Sequence, residues 1–313
     1  MADRRFEADL RRYGPHADDI HVSVADACAY CRRLASSHYE NFSVVSWLLP
    51  RALRQHFCNV YAYCRWADDL ADEMEAPSDS LALLAWWRSQ LFDCLAGEAR
   101  HPVFVALLPT IRQFAIPSAP FLALLEAFER DQRQVRYTTH AELLDYCRCS
   151  ANPVGHLVIY LGRCYSETNA SLSDSICTGL QLANFLQDVA EDFERGRIYL
   201  PHEVCVEFGY TEDCFRQRVV DQRWRSMMQA EVERASDYLH RGWPLVGQLP
   251  QELRFQVELF IRGGLAILQA IRHVDYDVWT TRPTVGKLTR LKLAADSWLR
   301  QRVTGRRPAR DHG

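Results

Sequence analysis

The chain has 313 residues and lacks any apolar run near the ~18 residues that a membrane-spanning helix needs; the longest are pieces such as Leu81 to Trp87 and Leu157 to Leu161. A spanning helix is excluded. The start, MADRRFEADLRRYG, is charged and lacks the apolar core of an export signal, which predicts a cytoplasmic protein. A charge excess is missing as well. With 37 Lys plus Arg against 40 Asp plus Glu the formal net charge is -3, so no global field draws a nucleic-acid polyanion and any anion site has to be local. No G-x-G-x-x-G fingerprint of a nicotinamide-binding fold occurs. Nor does a second pair at zinc-finger spacing accompany Cys28 with Cys31 or Cys147 with Cys149, and a structural zinc site needs four ligands. The eleven cysteines are an odd count in a large chain, which fits small buried side chains in a reducing compartment.

What is present is helical periodicity throughout a composition 48% hydrophobic and 25% charged, enough to bury a large core. Nothing reads as a sustained set of alternating strands. Ser23 is placed to cap a helix with apolar Val24, Ala27, Cys28, Cys31, Leu34 and Ala35, ending near Ser36 or Ser37. After Pro50 about six turns carry Leu53, Phe57, Val60, Tyr61 and Cys64 on one stripe and run into DDLADE. Further helical patterns cover about 80–96, 102–114, 119–133, 140–164, 171–194, 212–241, 250–273 and 287–301, joined by short connectors holding Pro, Gly, Asn or Ser. Without repeats, low-complexity tracts or long linkers, the economical reading is a single all-α bundle over 21–302, with an N-terminal extension (1–20) and a disordered basic tail (303–313).

Two acidic constellations lie on helix faces. At 100° per residue, Asp72 stands about 40° and Arg65 about 60° from Asp68, while Asp69 is further round. Asp68 and Asp72 also continue the three- and four-residue spacing of Leu53, Phe57, Val60 and Cys64, a stripe that upstream points inward. The second set is Gln181, Asn184, Asp188 and Asp192, within about 80° of helix surface, with Leu182, Leu186, Val189 and Phe193 opposite. A solvated face is the alternative for either set alone. Together, and without the Lys four residues on that an exposed helix uses for pairing, the two sets predict an oxygen-rich site. Such donors suit Mg²⁺ shared with a phosphorylated ligand, with Arg65, Arg195 and Arg197 available to outer phosphate oxygens. Tyr39, Phe42, Trp47, Tyr61, Trp66 and Phe185 nearby suit an apolar tail, or simply a core.

At this point the sequence resembles the squalene and phytoene synthase family, the head-to-head trans-isoprenyl diphosphate synthases, over nearly the whole chain. The carriers are YAYCRWADDLADE (Tyr61 to Glu73) and QLANFLQDVAEDFERGRIYLP (Gln181 to Pro201), which match the family's two Asp-rich motifs. The resemblance implies an isoprenoid synthase helical bundle with a central cavity. It implies that Asp68, Asp72, Asp188 and Asp192, with Asn184, hold Mg²⁺ ions on a prenyl diphosphate, and that Arg65, Gln181, Arg197 and Tyr199 line the same site. Within the family the chain is most similar to bacterial hydroxysqualene synthases of hopanoid pathways, through Ser37 to Pro50, Leu143 to Gly162 and FLQDVAEDF with its Gln187. That likeness implies conversion of presqualene diphosphate and water to hydroxysqualene. It also implies partner enzymes that supply the one and reduce the other, and no nicotinamide.

Departures from the squalene and phytoene pattern fall in these segments: His38, Tyr39, Glu40, Asn41 and Phe42 replace His-Ser-x-Ser-Phe, Tyr146 to Asn152 replace Tyr-Cys-x-Tyr-Val-Ala-Gly, and Gln187 replaces a frequent Arg. His38, Asn41, Phe42 and Tyr146 are accordingly expected to touch substrate. A phenol, a hydroxyl pair and a cation are lost near the chemistry, which argues against the first condensation of two farnesyl diphosphates. If water ends the reaction, a polar group has to hold it, and Tyr39 and Asn152 are the candidates because they stand at the departures and both donate and accept hydrogen bonds. The alternatives are head-to-head condensation of two prenyl diphosphates, or an isoprenoid-binding scaffold without activity. Long hydrocarbon substrates further predict peripheral contact with the inner face of the membrane, helped by the C-terminal arginines.

Overall fold

The computed structural model describes residues 4–17, 20–37 and 49–286. His38, Tyr39, Asn41 and Phe42, the expected helix at 287–301 and the tail from 303 lie outside the described residues. In chain order the helices are α1 (Arg4–Tyr13), α2 (Val24–Ser37), α3 (Arg51–Asp72), α4 (Pro77–Ala96), α5 (Pro102–Phe114), α6 (Ala119–Asp131), α7 (His140–Ser150), α8 (Asn152–Leu161), α9 (Glu167–Gln187), α10 (Val189–Glu194), α11 (His202–Glu207), α12 (Glu212–Arg216), α13 (Gln222–Gly242), α14 (Leu245–Gln248) and α15 (Gln251–His273). Among the described residues there is no strand, only an isolated parallel bridge between Arg136 and Ile198. Two compact units result, one from Met1–Val135 with Asp145–Tyr165, the other from Arg136–Leu144 with Ser166 onward.

The first unit is built around α3. Its buried positions Phe57, Asn59, Val60, Ala62, Tyr63, Trp66, Ala67 and Leu70 give the helix a broad inward face. Asn59 donates to the Ala106 carbonyl at 2.8 Å and to Thr110 Oγ1 at 3.0 Å, and Tyr63 donates to the Phe121 carbonyl at 2.9 Å, so the polar groups on that face are paired with α5 and α6. Trp66 stacks on Trp87 of α4 with ring centroids 5.3 Å apart. α2 begins as its sequence predicts, the Ser23 hydroxyl accepting the Asp26 N–H at 3.2 Å. The periodicity reading leaves residues 1–20 without an element, yet α1 forms there and buries Phe6 and Tyr13, Phe6 against the edge of Trp66 at 5.2 Å.

The second unit is built around α9 and α13. Small residues let their backbones approach: a Cβ on Gly179 would lie 2.9 Å from the Leu239 N atom, and one on Gly242 2.8 Å from the Leu172 carbonyl oxygen. α9 starts with Ser166 accepting the Asn169 N–H at 3.1 Å, and α13 with Asp221 accepting the Trp224 N–H at 3.1 Å. Buried Glu231 is held by His140 at 3.1 Å and Arg234 at 3.4 Å, and buried Glu258 by Arg262 at 2.8 Å. Three expected helices are interrupted. The pattern at 140–164 divides before Pro153, whose ring and missing N–H forbid a continuous ladder. That at 212–241 divides at Arg218, which takes a left-handed φ of 50°, and the one at 171–194 divides at Asp188. All eleven cysteines are free thiols, and no described helix is long and apolar enough to cross a membrane.

Candidate active site

The last two turns of α3 carry the first acidic motif. Arg65 reaches two carboxylates one turn on, donating from Nη1 to Asp68 Oδ2 at 3.1 Å and pairing through Nη2 with Asp69. The two aspartates differ in setting: the Asp68 side chain is 43% exposed and that of Asp69 4%. Burial pushes the Asp69 carboxyl up to about 7 although the Arg65 guanidinium pulls it down, and the neighbouring Asp68 and Glu73 carboxylates add to the rise. Asp72 is exposed. The expectation that Asp68 and Asp72 continue an inward stripe is therefore corrected: Phe57 and Val60 are buried, Cys64 and Asp68 half-buried, and Asp72 outside. The reason is geometric, since each four-residue step advances the helix by about 40° beyond a full turn and two such steps from Cys64 rotate Asp72 out of the buried sector.

The second motif sits at the junction of α9 and α10. Asp188 ends one helix and opens the next with φ −104° and ψ 15°, yet its N–H still bonds to the Asn184 carbonyl at 2.9 Å and its carbonyl accepts the Asp192 N–H at 2.8 Å. One i to i−4 bond thus ends on Asp188 and the first bond of the next helix starts from it, so the bend is small and Asn184, Asp188 and Asp192 keep the one-sided spacing that the sequence predicts. Gln181, Asp188 and Asp192 are half-buried and Asn184 is exposed. Burial pushes the Asp192 carboxyl up to about 6, and the Asp188 carboxylate adds to this while Arg197 and Arg195 pull it down. The Arg197 N–H closes the turn on the Asp192 carbonyl at 2.8 Å. Tyr199 stacks on Phe185 at 3.9 Å and 8° between planes.

Other expected residues stand apart from the acidic motifs in the sequence. Tyr146 is buried and donates its hydroxyl to Asp131 Oδ2 at 2.9 Å within the first unit. Asn152 is buried at the first position of α8. Of the aromatics suggested for an apolar tail, Trp66 belongs to the core around His101, whereas Phe185 lies beside Tyr199. The second unit also has an open cavity of about 630 Å³ against Tyr137, Ile198, Leu200, Cys205, Tyr210 and Phe215; neither carboxylate pair lines it, so it is not the acidic site.

Two further residues were not found by reading the sequence. Asp69 lies further round the helix than Asp68 and Asp72, yet it is the buried partner of Arg65. Arg282 donates through Nε to Asp188 Oδ1 at 2.7 Å and lies 3.2 Å from Glu191, while Gln187 donates to the Pro283 carbonyl at 2.6 Å. A cation therefore stands beside Asp188 even though position 187 is Gln; it comes from 94 residues along the chain, beyond the reach of any local pattern. Among the described residues no three His, Cys, Asp or Glu side chains form a complete metal cage. The donors nonetheless fit Mg²⁺, which binds through one or two carboxylates and completes its shell with water and phosphate oxygens. The raised Asp192 carboxyl, crowded by Asp188, is the kind of charge pair that a dication relieves.

The profile of the squalene/phytoene synthases matches residues 35–289. The chain belongs to that family. Among curated relatives of the family, the 15-cis-phytoene synthase of Synechococcus elongatus is 32% identical over 289 residues, covering 87% of this chain and 94% of its own. The phytoene synthase of Arthrospira platensis is 32% identical over 295 residues, covering 89% and 94%. Among solved structures, squalene synthase HpnC from Alicyclobacillus acidocaldarius is 45% identical with a TM-score of 0.78, covering 81% of this chain and 95% of that one. A dehydrosqualene synthase bound to a ligand, 23% identical with a TM-score of 0.81 over 90% of this chain and 98% of its own, shares the fold. The all-helical isoprenoid synthase fold and an enzyme of the squalene/phytoene synthase family are thereby established.

Proposed function

We propose that this enzyme is a hydroxysqualene synthase, converting presqualene diphosphate and water to hydroxysqualene and diphosphate with Mg²⁺ in squalene and hopanoid biosynthesis. The observation that carries the reading is the likeness to squalene synthase HpnC, 45% identical over 81% of the chain, against 32% for the phytoene synthases. In this reading 21–302 is one catalytic domain of the kind in which helical bundles build a central cavity. Asp68 and Asp72, with Asn184, Asp188 and Asp192, would hold the metal. Bound Mg²⁺ neutralises charge growing on the leaving diphosphate.

The chain's own groups do the rest. Arg65 and Arg197 donate to the outer diphosphate oxygens, and Gln181 and Tyr199 line the same wall. The carbon–oxygen bond breaks, its electron pair leaves with the diphosphate, and a cyclopropylcarbinyl cation remains. Aromatic faces would stabilise it by cation–π attraction, and apolar walls exclude bulk water. After rearrangement to the linear skeleton one water oxygen bonds to the cation and its proton passes to the released diphosphate, which balances the reaction. Tyr39 or Asn152 holds that water, and His38, Asn41, Phe42 and Tyr146 belong to the substrate-binding residues. Contact with the membrane surface belongs to the same reading, and flotation with anionic liposomes at low salt is expected to carry the protein upward, failure to float counting against it.

The second reading is condensation of two prenyl diphosphates to presqualene diphosphate, squalene or phytoene. It is favoured by the phytoene synthase relatives and by Arg282, which supplies beside Asp188 the cation that Gln187 lacks. Incubation with Mg²⁺ and either presqualene diphosphate or farnesyl diphosphate, without nicotinamide, separates the two. An alcohol from the first substrate and no product from the second is expected; a coupled product from farnesyl diphosphate would establish the condensation instead. Asp68→Asn and Asp188→Asn should each lower turnover about 100-fold or more. A scaffold without activity predicts no turnover of either substrate.

A further inference from the structure

Asp69 is an awkward residue to keep. It is buried in a helix interior next to Ala67, Leu70 and Ala71, carries like charges beside it on Asp68 and Glu73, and meets one cation, Arg65. A buried carboxylate of this kind costs stability that an apolar side chain would not, so its retention points to a task. Arg65 shows what the task is. Its guanidinium is held from two sides, by accessible Asp68 at 3.1 Å and by buried Asp69, and a quarter of its side chain stays exposed. Arg65 bonds to Oδ2 of Asp68, and a dication drawn to the same carboxylate competes with the guanidinium for it. When Asp68 turns to a metal, Asp69 alone still fixes the guanidinium. We infer that Asp69 is a positioning residue: it anchors Arg65 from the buried side so that the guanidinium stays aimed at the diphosphate when Asp68 is engaged by Mg²⁺. The inference rests on the diphosphate-binding reading above.

The test measures binding of inorganic diphosphate with Mg²⁺ by calorimetry, alongside kcat, KM and the thermal midpoint, on the full chain. Asp69→Asn should weaken diphosphate binding about tenfold or more with no fall in thermal midpoint, the size expected when a positioned binding group loses its support. In an Arg65→Ala background the same change should add nothing, because the anchor acts only through Arg65. Asp69→Glu, which restores the charge one methylene further out, should recover part of the loss, and it replaces Asp69→Asn as the test variant if the latter does not fold. Full additivity with Arg65→Ala would show that Asp69 acts on the ligand directly and overturn the inference. So would wild-type binding in Asp69→Asn with a lowered midpoint, the mark of a purely structural role. If Arg65→Ala itself leaves diphosphate binding unchanged, the diphosphate reading fails at this residue and the anchor fails with it; loss in Arg65→Ala with wild-type binding in Asp69→Asn removes the anchor alone.

Discussion

His101 shows how a single buried group can set a pH dependence. It is fully buried, its Nδ1 accepts the Val103 N–H at 3.2 Å, and its ring meets Trp66 and Trp87 edge-on with centroids at 4.5 and 4.8 Å. Burial in that aromatic cage pushes its pKa well below the ordinary value and keeps it neutral. In the unfolded chain it titrates near pH 6.5, so below that the unfolded state gains a proton the folded state refuses. Stability should fall as pH drops from about 6.5, by up to ~1.4 kcal/mol per pH unit from this group. Denaturant unfolding between pH 8 and 5 checks this: His101→Asn, which keeps a cap acceptor, should show a shallower fall than wild type, and an identical slope would contradict it. The individual site residues were unevenly legible. Residue type and spacing marked Asp68, Asp72, Asp188 and Asp192, but exposure was misjudged on α3 because a three-and-four stripe drifts around the helix, and Arg282 approaches Asp188 only through tertiary structure.

Elements were legible wherever local chemistry decides them. The bounds of α5 match the pattern at 102–114, and α3 and α15 begin where Pro50 and Pro250 predict. Of the three interruptions only the one before α8 has a breaker at hand, Pro153, whereas neither Asp188 nor Arg218 is a residue that ends a helix by itself. The close approach of α9 and α13 was not visible at all, since a glycine in a helical pattern reads only as a weak point. Its energetic consequence is testable. Gly242→Ala places a methyl group against Ile176 and the Leu172 carbonyl, which should lower stability by about 1–3 kcal/mol, whereas Gly247→Ala in α14, where nothing lies within 4 Å, should not destabilise. Thermal unfolding of both variants decides it; equal midpoints would mean that the two helices part easily.

For the molecule as a whole, the fold class was legible because helical periodicity and the absence of alternating strands leave few architectures, and the two Asp-rich motifs were legible because they combine residue type, spacing and order. The division into two compact units was not, since one of its boundaries, between Leu144 and Asp145, falls inside α7, where no linker marks it. Each unit carries one carboxylate pair beside arginines. The most direct test is turnover of presqualene diphosphate with Mg²⁺ in ¹⁸O-labelled water, followed by mass spectrometry of the lipid and of the released diphosphate. Carbon–oxygen cleavage with water capture predicts one ¹⁸O in the alcohol and none in the diphosphate. Label in the diphosphate, or a hydrocarbon product without oxygen, would contradict it.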